Sequence, residues 1–172
     1  MVDAPGRTGP LLSVEKLAVG IRGERGTFEA ISDVDLVIEQ GEVLGLVGES
    51  GCGKSITATA VMGLLPHPVA RIVRGRILFD GRDLTAMAAR PRRRLCGEAM
   101  GMIFQEPMTS LNPVYRIGDQ LTEALRAHRR TSDEAAVAEA VRMLDMVGIP
   151  SPRERIRAYP HELSGGMRQR VM

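Results

Sequence analysis

The sequence predicts an α/β fold, and three observations carry that prediction. The first third alternates apolar and polar residues as half-buried strands do. An unbroken apolar run, VLGLVG (residues 43–48), then leads into the glycine-rich stretch GESGCGKS. The second half places apolar residues at helical spacing.

Each element can be justified in order. LLSVEKLAV alternates at Leu12, Val14, Leu17 and Val19 with one slip, and VDLVIEQGE alternates at Val34, Leu36 and Ile38 before a Gln40-Gly41 turn; both read as antiparallel strands. VLGLVG is apolar without alternation, as expected of a strand covered on both faces. ITATAVMGLL (56–65) suits a helix closed by Pro66 and Pro68, and RILFDG (76–81) a strand ending in an Asp-Gly turn. MGMIFQ is a short apolar strand ending in Gln105, and EPMTSLNP, with two prolines, is a loop. A helix is predicted over 117–130. Another is predicted from Thr131, which forms a capping box with Glu134, to Gly148, with prolines 150 and 152 beyond it.

Composition narrows the class. The chain has 172 residues, 44% of them hydrophobic, enough for a buried core. No apolar run approaches a membrane span, and MVDAPGRTGPLLS lacks the basic start and apolar stretch of a signal peptide, so a cytoplasmic location is expected. Cys52 and Cys96 make neither a metal-ligand spacing nor a disulfide framework. Net charge is only +2, and the basic runs at 91–94 and 153–157 read as solvated faces, which argues against nucleic acid as a partner. Of 23 basic residues only Lys16 and Lys54 are lysine, so a lysine inside the glycine-rich loop points to a site that needs a slim ammonium and not a planar fork.

That loop carries the chemistry. Gly48 to Ser55 fits G-x-x-x-x-G-K-[ST], in which glycines let backbone N–H groups turn inward around phosphate oxygens while the following helix aims its positive end at them. Lys54 reaches the outer phosphates, and the Ser55 hydroxyl ligates Mg²⁺. Gln105, at a strand end beside a proline-containing loop, can reach a metal-bound water, although a glutamine there is often only solvated. Ser164-Gly165-Gly166 opens a further helix and forms a second anion site. One nucleotide's phosphates are already surrounded by the first loop, so the second turn is expected to serve another chain's nucleotide, the plain alternative being a simple serine cap. His67, His128 and His161 are expected to be structural or solvated, and Cys52, at a helix start in the loop, is a candidate reactive thiol.

In order and spacing, GESGCGKS, IFQEPMTSLNP and YPHELSGGMRQRVM resemble the Walker A loop, the Q-loop and the signature motif of ATP-binding subunits of ABC transporters, and the last two are most similar to the dipeptide/oligopeptide importer branch, which includes nickel and glutathione systems. The resemblance implies a P-loop NTPase fold of the ABC nucleotide-binding type. It comprises an antiparallel β subdomain, a RecA-like core and an α-helical subdomain, truncated after the signature motif. Residues 1–11 would be a tail, 12–105 the nucleotide-binding core and 106–172 the Q-loop and helical subdomain. The loop residues Gly48, Glu49, Ser50, Gly51, Cys52, Gly53, Lys54, Ser55 and Ile56 would bind ATP, with Mg²⁺ on Ser55 and Gln105. The signature residues Leu163, Ser164, Gly165, Gly166, Met167 and Gln169 would hold the ATP of a second ATP-binding subunit, in a homo- or heterodimer.

The same resemblance implies further partners: two transmembrane permease subunits docked on the 106–112 loop and helical subdomain, and, indirectly, a periplasmic or extracellular substrate-binding protein. The subunit would sit on the cytoplasmic face of the membrane. Two departures stand out. The family's adenine-stacking aromatic falls on Ile21, which cannot stack, with Phe28 as a possible substitute. The Walker B aspartate, catalytic glutamate, D-loop and switch histidine of the family do not follow the signature in these 172 residues. The chain therefore reads as an N-terminal portion that binds ATP with negligible turnover and leaves the phosphate-loop strand with an open apolar flank. A binding-only short module and a soluble ABC-type ATPase unconnected with transport are the other readings.

Overall fold

The computed structural model describes residues 9–24, 26–104 and 110–172. The chain forms two compact units, residues 1–100 and 101–172, each with its own core.

The first unit is built on an antiparallel sheet with strand order β2-β1-β3-β4: β1 Leu12–Gly23, β2 Gly26–Ile38, β3 Ala70–Phe79 and β4 Arg82–Asp83. Leu12 pairs with Ile38, Val14 with Leu36 and Leu17 with Val34, as the alternation requires. The slip in that alternation is a bulge at Lys16. Its φ is +47°, its backbone N–H donates to Asp35 Oδ1 at 2.8 Å, and its ammonium donates to Asp35 Oδ2. A bulge adds one residue and so returns Leu17 to the buried face. The Asp-Gly turn closes the β3–β4 hairpin as expected: Asp80 (φ +51°) and Gly81 (φ +73°) both lie in the left-handed region that a two-residue turn demands. Val14, Leu17, Val19, Ile31, Ala60, Ala70, Ile77 and Leu84 form the core, each large side chain contributing roughly 1.5–3 kcal/mol on burial.

Two helices flank the sheet. The first, α1, runs Lys54–Met62, two residues earlier than the predicted start, and it ends at Gly63 instead of Pro66. Gly63 takes φ +71° and donates to the Ala60 carbonyl while Leu64 N–H donates to the Thr59 carbonyl, so a left-handed glycine cap terminates the helix before the prolines are reached. The second, α2 (Ala89–Glu98), has a kink at Cys96 and Gly97 and contains the 91–94 basic run. That run is not wholly a solvated face: Arg92 turns inward and donates to the Ala60 (2.8 Å) and Val61 (3.4 Å) carbonyls at the end of α1. Burial pulls its pKa below the usual arginine value.

The run 43–47 departs from expectation. It forms no strand, and Val43, Leu44, Leu46 and Val47 are exposed, Val43 and Val47 to 94%. An unalternating apolar strand is specified by neighbours on both sides, and no described strand pairs with it. Residues 101–104 likewise form no strand; Met100 makes only an isolated bridge to Cys96, and Ile103 and Phe104 are exposed.

The second unit is helical: α3 Ile117–His128, α4 Asp133–Met146, α5 Pro152–Arg155, a 3-10 turn at Pro160–Glu162 and α6 Gly165–Val171. Its core joins Leu111, Ile117, Ala140, Leu144, Ile149, Ile156 and Leu163. The cap of α4 is Ser132, not Thr131: the Ser132 hydroxyl accepts from Ala135 N–H, three residues on, which is the amide an N-cap side chain reaches. Gly148 does act as the stop, at φ +70°. Helix α3 ends two residues before the predicted 130, because Arg129 is extended.

Candidate functional site

The phosphate-loop candidate is assembled in the first unit. Residues 48–53 curl into the N-terminus of α1, with Gly51 at φ +85° and Gly53, the residue before the helix, at φ +98°. Neither position accepts a side chain without strain. At Gly53 crowding adds to this, since an added Cβ would lie 2.3 Å from Ile31 Cγ2 of the core. At Gly48 a Cβ would meet Cys52 Sγ at 2.6 Å. Glycine at 53 is therefore required by its φ and by Ile31 of β2, while a side chain at 48 would force Cys52 to turn aside.

Lys54 folds back over this loop. Its ammonium donates to the Gly48 (2.6 Å) and Glu49 (2.7 Å) carbonyls and lies 3.4 Å from Cys52 Sγ. A cation spans the concave side of the turn, where an anion would lie. No side chain caps α1, so its first-turn amides have no intrahelical acceptor and face outward with the positive end of the helix dipole. Ser55 is exposed in that first turn, and Ile56 packs on the core. A hydroxyl here fits Mg²⁺, which takes one or two protein oxygens and completes its octahedron with phosphate oxygens and water. Gln105 lies outside the described residues, as do 106–109 of the predicted docking loop.

The second candidate lies at the other unit's C-terminal helix. Ser164 is extended and its hydroxyl accepts from Met167 N–H at 3.3 Å, a true N-cap of α6. Leu163 is buried and Met167 packs beside it on the core, so these two seat the turn, while Ser164, Gly165, Gly166 and Gln169 are exposed. Gly165 and Gly166 differ from the loop glycines: neither has a positive φ, and an added Cβ at either would meet nothing within 4 Å. The approach is fixed by Glu162, which accepts from Tyr159 N–H at 2.6 Å. His161 stacks on the Tyr159 ring at 5.6 Å, a structural setting for that histidine.

The sequence reading missed two side chains. Arg92 ties down the C-terminal end of α1, and Arg170 donates to the Val147 and Gly148 carbonyls at the end of α4. The available signal was weak: arginine is a common partner for helix C-terminal carbonyls, but the carbonyls in question are 31 to 32 and 22 to 23 residues away in sequence. Phe28, the adenine-stacking substitute, is 58% exposed and pairs directly with Ile21 across β1 and β2.

Among the described residues no group of acidic, histidine or cysteine side chains could hold a metal by itself, and no helix is long and apolar enough to cross a membrane.

The family profile described as ABC transporter matches residues 31–172. The oligopeptide transport ATP-binding protein OppD of Bacillus subtilis is 47% identical over 166 residues, 96% of this chain and 46% of that protein. The dipeptide transport ATP-binding protein DppD of the same organism is 48% identical over 162 residues, 94% of this chain and 48% of that protein. The chain spans about half the length of the curated relatives it matches. Among solved structures, the dimeric structure of MJ0796, a bacterial ABC transporter cassette, superposes with a TM-score of 0.77 at 22% identity, covering 93% of this chain and 66% of that one; it shares the fold. The profile match over residues 31–172, more than half of the chain, establishes that it belongs to the ABC transporter family.

Proposed function

We propose that this chain acts as an ATP-binding subunit that couples ATP binding and hydrolysis to the import of di- or oligopeptides, or related small solutes, across the cytoplasmic membrane. The observation that carries the reading is the Lys54 ammonium held over the inside of the 48–53 loop at the uncapped start of α1. The peptide branch rests on relatives named for oligopeptide and dipeptide transport.

The chain's own residues divide the work. Loop amides and the first turn of α1 receive the phosphates, and Lys54 leaves its two carbonyls for the outer phosphate oxygens. Ser55, with Gln105, would hold Mg²⁺, which when bound neutralises phosphate charge. Phe28, opposite Ile21, offers the aromatic face for adenine. The Ser164-Gly165-Gly166 turn grips the ATP held by a second ATP-binding subunit; exposed glycines that the helix itself does not need allow a phosphate to approach the backbone closely. ATP then favours the closed pair because only there are its phosphates held from both sides. The 106–112 loop with the helical unit would pass that closure to two permease subunits at the membrane's cytoplasmic face, supplied by a substrate-binding protein outside.

For these 172 residues alone we propose ATP binding without appreciable turnover. Equilibrium titration with a fluorescent ATP analogue, in wild type and Lys54→Ala, tests the first half; equal affinity in the two would refute it. Steady phosphate release by wild type that disappears in Lys54→Ala would refute the second.

A further inference from the structure

We infer that Arg170 is a positioning residue that fixes the Ser164–Gly166 turn in the conformation a phosphate contact needs; this rests on the proposed role of that turn. Helix α6 begins with two glycines. Glycine is about 1 kcal/mol less favourable than alanine in a helix, so these two residues do not hold the turn by themselves. Something in the tertiary structure must hold it.

Packing supplies part of the answer. Leu163, Met167 and Val171 recur every fourth residue and lie on the helical core. A single apolar stripe sets depth and leaves roll and sliding poorly defined. Arg170 supplies the missing direction, because hydrogen bonds from a guanidinium fork demand orientation.

The bonds are specific. Arg170 Nη1 donates to the Gly148 carbonyl and, at 3.2 Å, to the Val147 carbonyl, both at the C-terminal end of α4 where the helix dipole is negative. Gly148 makes this possible, since an added Cβ there would stand 3.2 Å from Nη1 on a backbone already at φ +70°. On its own helix, Arg170 Nε donates to the Gly166 carbonyl at 3.4 Å. The same peptide unit, through Met167 N–H, donates to Ser164 Oγ at 3.3 Å. The peptide that closes the glycine turn is therefore held at both ends, by the serine cap on one side and by an arginine anchored to α4 on the other.

The test uses the 172-residue chain with Arg170→Met, which keeps the aliphatic stem and removes the donors, Arg170→Lys, which restores a cation, and Ser164→Ala. Amide hydrogen exchange with millisecond mixing and Mg-ATP-promoted association of chains are read together. In Arg170→Met the amides of Met167 and Arg168, which donate to the Ser164 hydroxyl and carbonyl, should exchange roughly fivefold faster, in line with the loss of charge-assisted bonds at an exposed site. Core amides of α3 and α4 and the nucleotide affinity of the 48–55 loop should be unchanged, association should weaken by a similar factor, and Arg170→Lys should fall between. Unchanged exchange at 167 and 168 in Arg170→Met, or faster exchange throughout the helical unit, would overturn the inference. If Ser164→Ala leaves association intact while Arg170→Met still loosens 167 and 168, the partner-phosphate role of the turn fails and the positioning role of Arg170 stands.

Discussion

The two glycine-containing turns of this protein look alike in sequence and differ in what they ask of the backbone. In the 48–53 loop, Gly51 and Gly53 occupy left-handed conformations, and a side chain at 48 or 53 would collide with Cys52 or Ile31. In the Ser164-Gly165-Gly166 turn the glycines are helical and face open space. Glycine at 165 and 166 costs helix stability with no return inside the chain. A residue that its own fold does not require points to an external contact, and close approach of another molecule to the backbone is what glycine permits. Under the proposed function, the contrast is between a turn built around a ligand by its own geometry and one kept bare for a ligand held elsewhere.

Substitutions can break or sharpen that contrast. The largest effect is expected at Gly53→Ala, which adds a Cβ at a strained φ and 2.3 Å from Ile31 Cγ2; a loss of about 3 kcal/mol in denaturant unfolding, with loss of nucleotide binding, is expected. A neutral outcome would mean the loop is not held in this form. Lys54→Ala should weaken ATP by about 10- to 100-fold in a titration at constant salt while leaving the melting temperature nearly unchanged, because the bonds it loses are to exposed loop carbonyls. Gly165→Ala has the opposite signature: stability should rise by about 0.5–1 kcal/mol and ATP-promoted association should fall. If it destabilises the chain, the claim that this glycine is free of internal demands is wrong. The smallest effect concerns Cys52, exposed and 3.4 Å from the Lys54 ammonium, against Cys96, half-buried with its thiol donating to the Met62 carbonyl. Alkylation should be a few-fold faster at Cys52 and slowed by Mg-ATP.

What could be read in the sequence follows the same division. The antiparallel strands and the Asp-Gly turn were legible because alternation and turn chemistry are local, and the slip between Val14 and Leu17 was visible as a break in period, whereas the pairing register is set by the structure. The loop and its lysine were legible because the spacing is itself the mechanism. The run 43–47 was misread as a covered strand: its composition encodes neighbours, and no described strand lies beside it. The cap of α4 was misplaced by one residue because Thr131 and Ser132 are equally plausible from local chemistry, and only the backbone shows which hydroxyl reaches Ala135 N–H. Arg92 and Arg170 were not found because an arginine's partner is set by tertiary approach, and each reaches carbonyls more than twenty residues away.

The central claim is that the Ser164-Gly165-Gly166 turn of one chain completes the phosphate site on the loop of another. The most direct measurement mixes two variants, each deficient in one half-site. Lys54→Ala disables the loop. Gly166→Asp puts a carboxylate where phosphate should approach, at a first-turn position where open space and the helix dipole accommodate an acid. With Mg-ATP, followed by analytical ultracentrifugation, neither variant should associate alone, and the mixture should associate through the one composite site that retains an intact loop from one chain and an intact turn from the other. Association of wild type with ATP but not of the mixture, or full association of Gly166→Asp by itself, would contradict the account.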